Sequence, residues 1–396
     1  MIDSFGIGIN RSNSEYSPRE MAINQLTQQI DQKRKVRRDI DLQKEISLIL
    51  DAVKKFGPRN ISLIARQTGI PRETVRVRLL NLLPRYGFVV RMLPNYYKLG
   101  LTRYFGYLRF SRQFADKAKE LLNWLGEKSY LMYWGKVLMR NEFVVIVTPP
   151  YRFEKEYLGL FEELADAGVL DDYWFRKVRA YGHPHASYRY FDFANGKWSD
   201  RPVNDGEDEF DEVLVNEIDE AERAQYIVDS LDLKILQQLQ YDALKDITEI
   251  AGELGVHPRV VSYHFNEHVV RKGLVAGWMV SYVPTQTLEK GAGRFWMLTE
   301  TLNLHELRQL IRDLARPPAS CQSYNVLDNG SVAMHFVPTS DMSAVAHKLG
   351  NMGNLEGELM VLSEANAHPI STELFHGNTW LMSNNVTMVL KQLAVT

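Results

Sequence analysis

The 396 residues, 45% hydrophobic and 24% charged, suffice for several packed domains, and no apolar run approaches the ~20 residues that cross a bilayer. A single cysteine, Cys321, excludes an internal disulfide, and the N-terminus lacks the pattern of a secretory leader, so the expectation is a cytoplasmic protein in a reducing compartment. The net charge of −2 conceals a division: residues 33–112 hold 19 Lys and Arg against 5 Asp and Glu, and residues 205–222 hold ten acids and no base.

In chain order, residues 1–38 read as a tail and a basic helix ending in the run from Lys33 to Arg38. Residues 39–96 begin with an amphipathic helix over residues 42–55, followed by a short helix that turns Ile61, Ile64 and Ala65 inward at helical spacing. Gly69 permits the sharp turn that follows, because glycine takes positive φ at little cost, and Pro71 suits the start of a third helix. Gly87 ends that helix and a strand begins at Phe88. Three helices and a strand in this order predict a winged helix-turn-helix.

Residues 97–181 alternate differently. Strands are expected over residues 104–110, 130–137, 142–147 and 171–179, with helices over 114–125 and 153–167. This is β-α-β-β-α-β, an antiparallel sheet with two helices on one face and the other face left for a second sheet. Residues 182–228 read as a self-repelling acidic linker, with His183 and His185 in a loop and the aromatic run Tyr188 to Phe193 covering a sheet.

Both patterns then recur. Residues 229–284 read as a second winged helix-turn-helix and 285–367 as a second βαββαβ unit, with 368–396 a tail or helix. Residues 61–89 lie without a gap on 247–275, a shift of 186, and eight of 29 positions are identical, Ala65/Ala251, Gly69/Gly255, Val75/Val261 and Gly87/Gly273 among them. So long a period means duplicated domains. The expected fold class is α+β: two winged helix-turn-helix domains alternating with two ferredoxin-like βαββαβ domains.

Gly87 to Val90, then Tyr97 to Leu101, then the strand Tyr104 to Phe110 resemble the helix end, linker and first sensor strand of the Lrp/AsnC (feast/famine) regulators. The resemblance spans about residues 40–181 and 229–365. It implies transcriptional regulation rather than catalysis, double-stranded DNA as partner, dimers formed through the βαββαβ sheets, nucleoid association, and a small effector such as an amino acid. The family's turn between the second and third sensor strands carries a glycine and an acid. The second half offers Asp328 and Gly330 there, whereas the first has Gly135 to Leu138 with no acid. Lrp-like proteins also include siroheme decarboxylases, and the absence of an Arg-Arg-Phe-Gly run together with the basic first unit tilts the expectation towards DNA.

On the first third helix, Val75, Leu79 and Leu82 share a face and pack inward, which turns Glu73, Thr74, Val77 and Asn81 towards a major groove. Arg72, Arg76 and Arg78 flank that surface, and Arg59, Arg66 and Arg85 widen it; most of these arginines are expected on phosphates. The second copy has five Lys and Arg against seven Asp and Glu over residues 229–283, so Arg259, Tyr263 and His264 are expected to touch DNA weakly. His264, Glu267 and His268 formally match an H-x-x-E-H zinc pattern, but with no evident further ligand no metal or cofactor is expected.

Overall fold

The computed structural model describes residues 42–185, 188–199, 201–203, 211–282, 294–300, 302–339, 342–352, 356–382 and 386–395. The expected basic helix before residue 38 and part of the acidic stretch, residues 204–210, lie outside the described residues.

The first helical unit consists of α1 (42–56), α2 (Ile61–Thr68) and α3, which runs from Arg72 to Arg85 with a π-helical turn over Arg78–Leu82. The Asn60 side chain accepts from the Leu63 amide and starts α2; Gly69, at φ +70°, stops it. Ile46, Ile49, Leu50, Val53, Ile64, Val75, Leu79 and Leu83 form the core between the helices. Strand β1 (Phe88–Pro94) follows. The second unit repeats the plan with α6 (Ser230–Tyr241), α7 (Ile247–Leu254), α8 (258–270, its π turn over His264–Val270) and β7 (Val275–Tyr282).

Among the described residues the strand that follows each helical unit pairs with that of the other. β1 pairs antiparallel with β7, Val90 opposite Val280, so each copy closes the free strand edge of the other. Gly57 marks how close they come: its φ is +77°, and a Cβ there would lie 2.6 Å from the Trp278 ring of the second unit.

Between these units the first βαββαβ module supplies β2 (Tyr104–Phe110), α4 (Ala118–Lys128), β3 (Leu131–Val137), β4 (Glu142–Val147), α5 (Glu154–Asp166) and β5 (Leu170–Pro184). β6 (Glu212–Asn216) follows it. The second module supplies β8 (Arg294–Thr299), α9 (Leu304–Leu314), β9 (Cys321–Leu327), β10 (Val332–Phe336), α10 (Met342–Gly350) and β11 (Gly357–Ala367). Each last strand crosses to the other module: β5 pairs with β9, and β11 pairs with β3. The strands therefore close into an eight-stranded ring, β9-β10-β8-β11-β3-β4-β2-β5 and back to β9, with β6 added on β5.

Alternation along the strands divides the side chains. Phe143, Val145, Val147, Leu108 and Phe110 face α4 and α5, joined by Val389 and Leu393 from the C-terminal helix α11 (Val386–Val395). Phe295, Met297, Val332, Met334 and Phe336 face α9 and α10. Phe105, Tyr133, Val144, Ile146, Trp296, Ala333 and Met360 face the barrel interior.

Two sequence readings are corrected here. The acidic stretch is not an extended linker throughout, since β6 and Glu217 are folded onto β5, where Lys177 and Arg179 neutralise the carboxylate. His183 is a strand residue, because β5 continues past residue 179 to reach β9. Tyr188, Phe191 and Phe193 pack on Phe88 of the paired strands β1 and β7 and on the core of the first helical unit, in keeping with aromatic residues that cover a sheet, and Gln43 hydrogen-bonds their backbone.

Candidate functional site

The expected DNA surface is exposed at Arg66, Arg72, Glu73, Arg76, Val77, Asn81 and Arg85, with Thr74 partly so. Several of its charges are engaged within the chain. Arg76 pairs with Glu73 at 2.8 Å and Arg78 reaches Glu45 at 3.4 Å. Arg59 is not a surface phosphate contact: its guanidinium donates to the Lys245 carbonyl and stacks on Phe265, and burial pulls it down to about 10. In the second unit Arg259 and Tyr263 are exposed, whereas His264 turns inward. His268 does the same, and both rings meet Asp229 and Asp232, so the reading that no further ligand accompanies the histidine pair is corrected. Glu267 of the zinc-like pattern points elsewhere and pairs with Arg271 at 2.8 Å.

A different cluster lies inside the barrel. Arg103, at the start of β2, is 2% exposed. Its Nε donates to Asn325 Oδ1 at 2.8 Å, its Nη1 approaches Met132 Sδ at 3.3 Å, and its plane lies over the Tyr181 ring at 4.8 Å and the Tyr96 ring at 5.8 Å. All of these partners are neutral. Burial lowers the Arg103 pKa, and only tyrosines oppose that shift. Asn325, fully buried opposite Tyr181, leaves its Nδ2 without an acceptor. An amide donor and a guanidinium thus converge with no anion between them, an expensive arrangement in a low-dielectric interior.

Neighbouring groups extend the cluster. His183 donates from Nδ1 to the Gln322 carbonyl, 3.1 Å away, and burial, with Arg103 nearby, pushes it down to about 3. His335 on β10 lies 5.1 Å from the Trp296 ring and 5.7 Å from Tyr133; its Nε2 has no partner, and burial followed by the charge of Arg294 pushes it to about 3. Each imidazole keeps some accessible surface. Arg294 in turn acts on Arg91, whose Nε is buried without a partner and whose pKa burial lowers. Among the described residues no carboxylate pairs with Arg91, Arg103 or Arg294. The walls are aromatic: Phe105, Trp174, Trp296 and Tyr133 touch in series, with ring centroids 5.1–5.8 Å apart. The barrel interior thus gathers a guanidinium, two imidazoles and a row of ring faces into one chamber.

No protein-family model matches the sequence, and no curated protein does. Among solved structures, siroheme decarboxylase NirDL aligns over 89% of this chain and 99% of its own, at 11% identity and a TM-score of 0.49, both alone and in co-complex with an iron-uroporphyrin III analogue. E. coli AsnC aligns over 37% of this chain and 96% of its own, at 17% identity and a TM-score of 0.27. B. subtilis LrpC aligns over 37% and 98%, at 15% identity and 0.26. The likeness is one of architecture. It corrects the expectation of a DNA-binding regulator without enzymatic activity, since siroheme decarboxylase NirDL aligns over 89% of the chain and the regulators over little more than a third. Among the described residues no helix is long and apolar enough to cross a membrane.

Proposed function

We propose that this chain is an enzyme that takes an acidic tetrapyrrole into the barrel and removes carboxyl groups from it as CO2, in the manner of a siroheme decarboxylase. One observation carries the reading: Arg103 is buried within the aromatic barrel interior, Arg294 lies close enough to act on Arg91, and none of the three has a carboxylate partner among the described residues. A macrocycle bearing several carboxylates supplies the missing anions, and its flat body suits Trp296, Tyr133 and Phe105. In this reading the two helical units are winged helix-turn-helix modules kept as scaffold, with β1 and β7 paired and Arg91 of β1 contributed to the site.

Decarboxylation breaks the C–C bond to the carboxylate, leaves the electron pair on the ring-bearing carbon and needs a proton there. His183 and His335, held neutral by burial, gain basicity when anionic carboxylates arrive, so substrate binding itself charges the proton donors. Arg103 and the free Asn325 Nδ2 hold a carboxylate that must stay ionised to leave as CO2.

The test is a titration with an iron-uroporphyrin, followed by its visible absorption, and a CO2-release assay. Asn325→Asp gives Arg103 a carboxylate from within the chain and should weaken binding by about tenfold or more, the worth of one charge pair of ~1.4 kcal/mol. His335→Gln should retain binding and lose CO2 release. A chain that ignores acidic tetrapyrroles, or an Asn325→Asp variant that binds them as tightly as the parent, overturns the proposal.

A further inference from the structure

We propose that the second helical unit holds a divalent transition-metal ion of the zinc class, bound by Asp229, Asp232, His264 and His268. The ligand atoms of the four side chains all lie within 4.8 Å of one another. His264 Nδ1 stands 2.8 Å from Asp232 Oδ1 and 3.4 Å from Asp229 Oδ2; His268 Nδ1 stands 3.1 Å and 3.6 Å from the same two oxygens. Donors on a four-coordinate zinc with bonds of about 2.0–2.1 Å are about 3.3 Å apart, so the cluster has the dimensions of a tetrahedral site. Two imidazoles and two carboxylates suit this class of ion, and two negative charges balance it.

The carboxylates are held as ligands normally are. Asp229 uses Oδ1 to cap α6, accepting from the Leu231 and Asp232 amides at 2.9 Å each, and turns Oδ2 to the histidines. Asp232 accepts the Asp229 amide with Oδ2 and turns Oδ1 to both rings. Each acid is thus oriented by backbone donors on one oxygen and presents the other, an outer shell that fixes its direction. The π turn over His264–Val270 sets the two histidines, four residues apart, on one side of α8 with their rings 4.5 Å apart.

The duplication gives independent support. At the shift of 186, Gln43, Ile46, Arg78 and Leu82 occupy these positions in the first unit. Ile46 is fully buried there and Leu82 packs against the same core. The second unit places a fully buried carboxylate and an imidazole at those two points, where packing alone calls for a hydrocarbon pair. A bound cation offsets the cost of burying Asp232. The site would tie α6 to α8 and is independent of the barrel chamber.

The experiment uses the full chain, stripped with chelator and titrated with Co2+ and then Zn2+. One equivalent of Co2+ should give the visible d–d absorption of a four-coordinate site, displaced by Zn2+, with a rise in thermal midpoint. The double variant Asp232→Ile with His268→Leu copies the first unit's core, so it should fold without metal and lose affinity by more than about 100-fold. Asp232→Asn should lose it as well. Equal Co2+ binding by the double variant, or a parent chain that takes up no metal and melts identically with and without chelator, reduces the cluster to a hydrogen-bonded helix cap and overturns the proposal.

Discussion

Two basic regions meet at strand β5, Lys177 and Arg179 on it and Arg103 against its Tyr181, and they treat charge in opposite ways. The outer one is a groove of about 550 Å³ bordered by Tyr151, Glu154, Lys177, Arg179, Glu217 and Arg223. Every cation in it has an acid: Lys177 lies 3.4 Å from Glu154 and 3.0 Å from Glu217, and Arg179 and Arg223 reach Glu217 at 2.7 and 3.1 Å. The inner chamber has cations of comparable number and, among the described residues, no acid paired with them. The groove's charges are thus answered within the fold, whereas those of the chamber are not among the described residues. A positive patch by itself says little; whether its charges are already answered within the fold separates structure from site.

The largest effect expected from this contrast falls on the groove. Glu217→Gln leaves three cations without their shared anion, Arg223 almost wholly buried among them, and should cost about 3 kcal/mol in denaturant unfolding. The effect has a pH window. Burial pushes the Glu217 carboxyl up, but hydrogen bonds from Arg179 and Lys177 outweigh it and hold the pKa below the usual 4.5. A group depressed in the folded state contributes stability above its unfolded value, so the parent's advantage should shrink as pH falls below about 4.5. A Glu217→Gln chain as stable as the parent at neutral pH would erase the distinction between the two regions.

The chamber responds to acid earlier. His183 and His335 sit near 3 in the folded chain against 6.5 unfolded, so they stabilise fully above 6.5 and progressively less as pH drops. Each fully depressed histidine removes up to about 1.4 kcal/mol per pH unit in that range. His335→Gln should therefore flatten the decline in stability between about pH 6 and about pH 5, where Glu217 is still charged. Parallel pH curves for the variant and the parent would mean that His335 is not held neutral by its surroundings.

The two repeated patterns were readable because their signals are local. The predicted strands at residues 104–110 and 142–147 coincide with β2 and β4, where the strand pattern runs without interruption. The ring was not readable, because it depends on the extra lengths of β5 and β11 that join the modules. A register irregularity where β5 meets β9 also breaks the alternation, with Val178 inward before it and Tyr181 inward after it. That shift made His183 look like a loop residue. Arg103 and Arg294 stood in strand-like stretches with nothing to separate them from surface cations; only the fold, by putting Asn325 and His335 beside them, distinguishes them. The metal-like cluster was half visible as His264 and His268, but its acids begin a different helix, 32 to 39 residues earlier.

The smallest expected change in stability is the most discriminating. Arg294→Gln removes a cation whose charge burdens Arg91 and His335, and no ion pair is lost with it among the described residues. Relief of that repulsion should leave unfolding free energy unchanged or raise it by about 0.5 kcal/mol, since removing a like charge is mildly favourable. Affinity for an acidic tetrapyrrole should fall in the same variant. Stability held and binding lost is the signature of a charge kept for a ligand, and it is the opposite of the behaviour expected for Glu217. Should Arg294→Gln destabilise the chain as Glu217→Gln does, the guanidinium has a structural partner, and the chamber is another closed network like the groove.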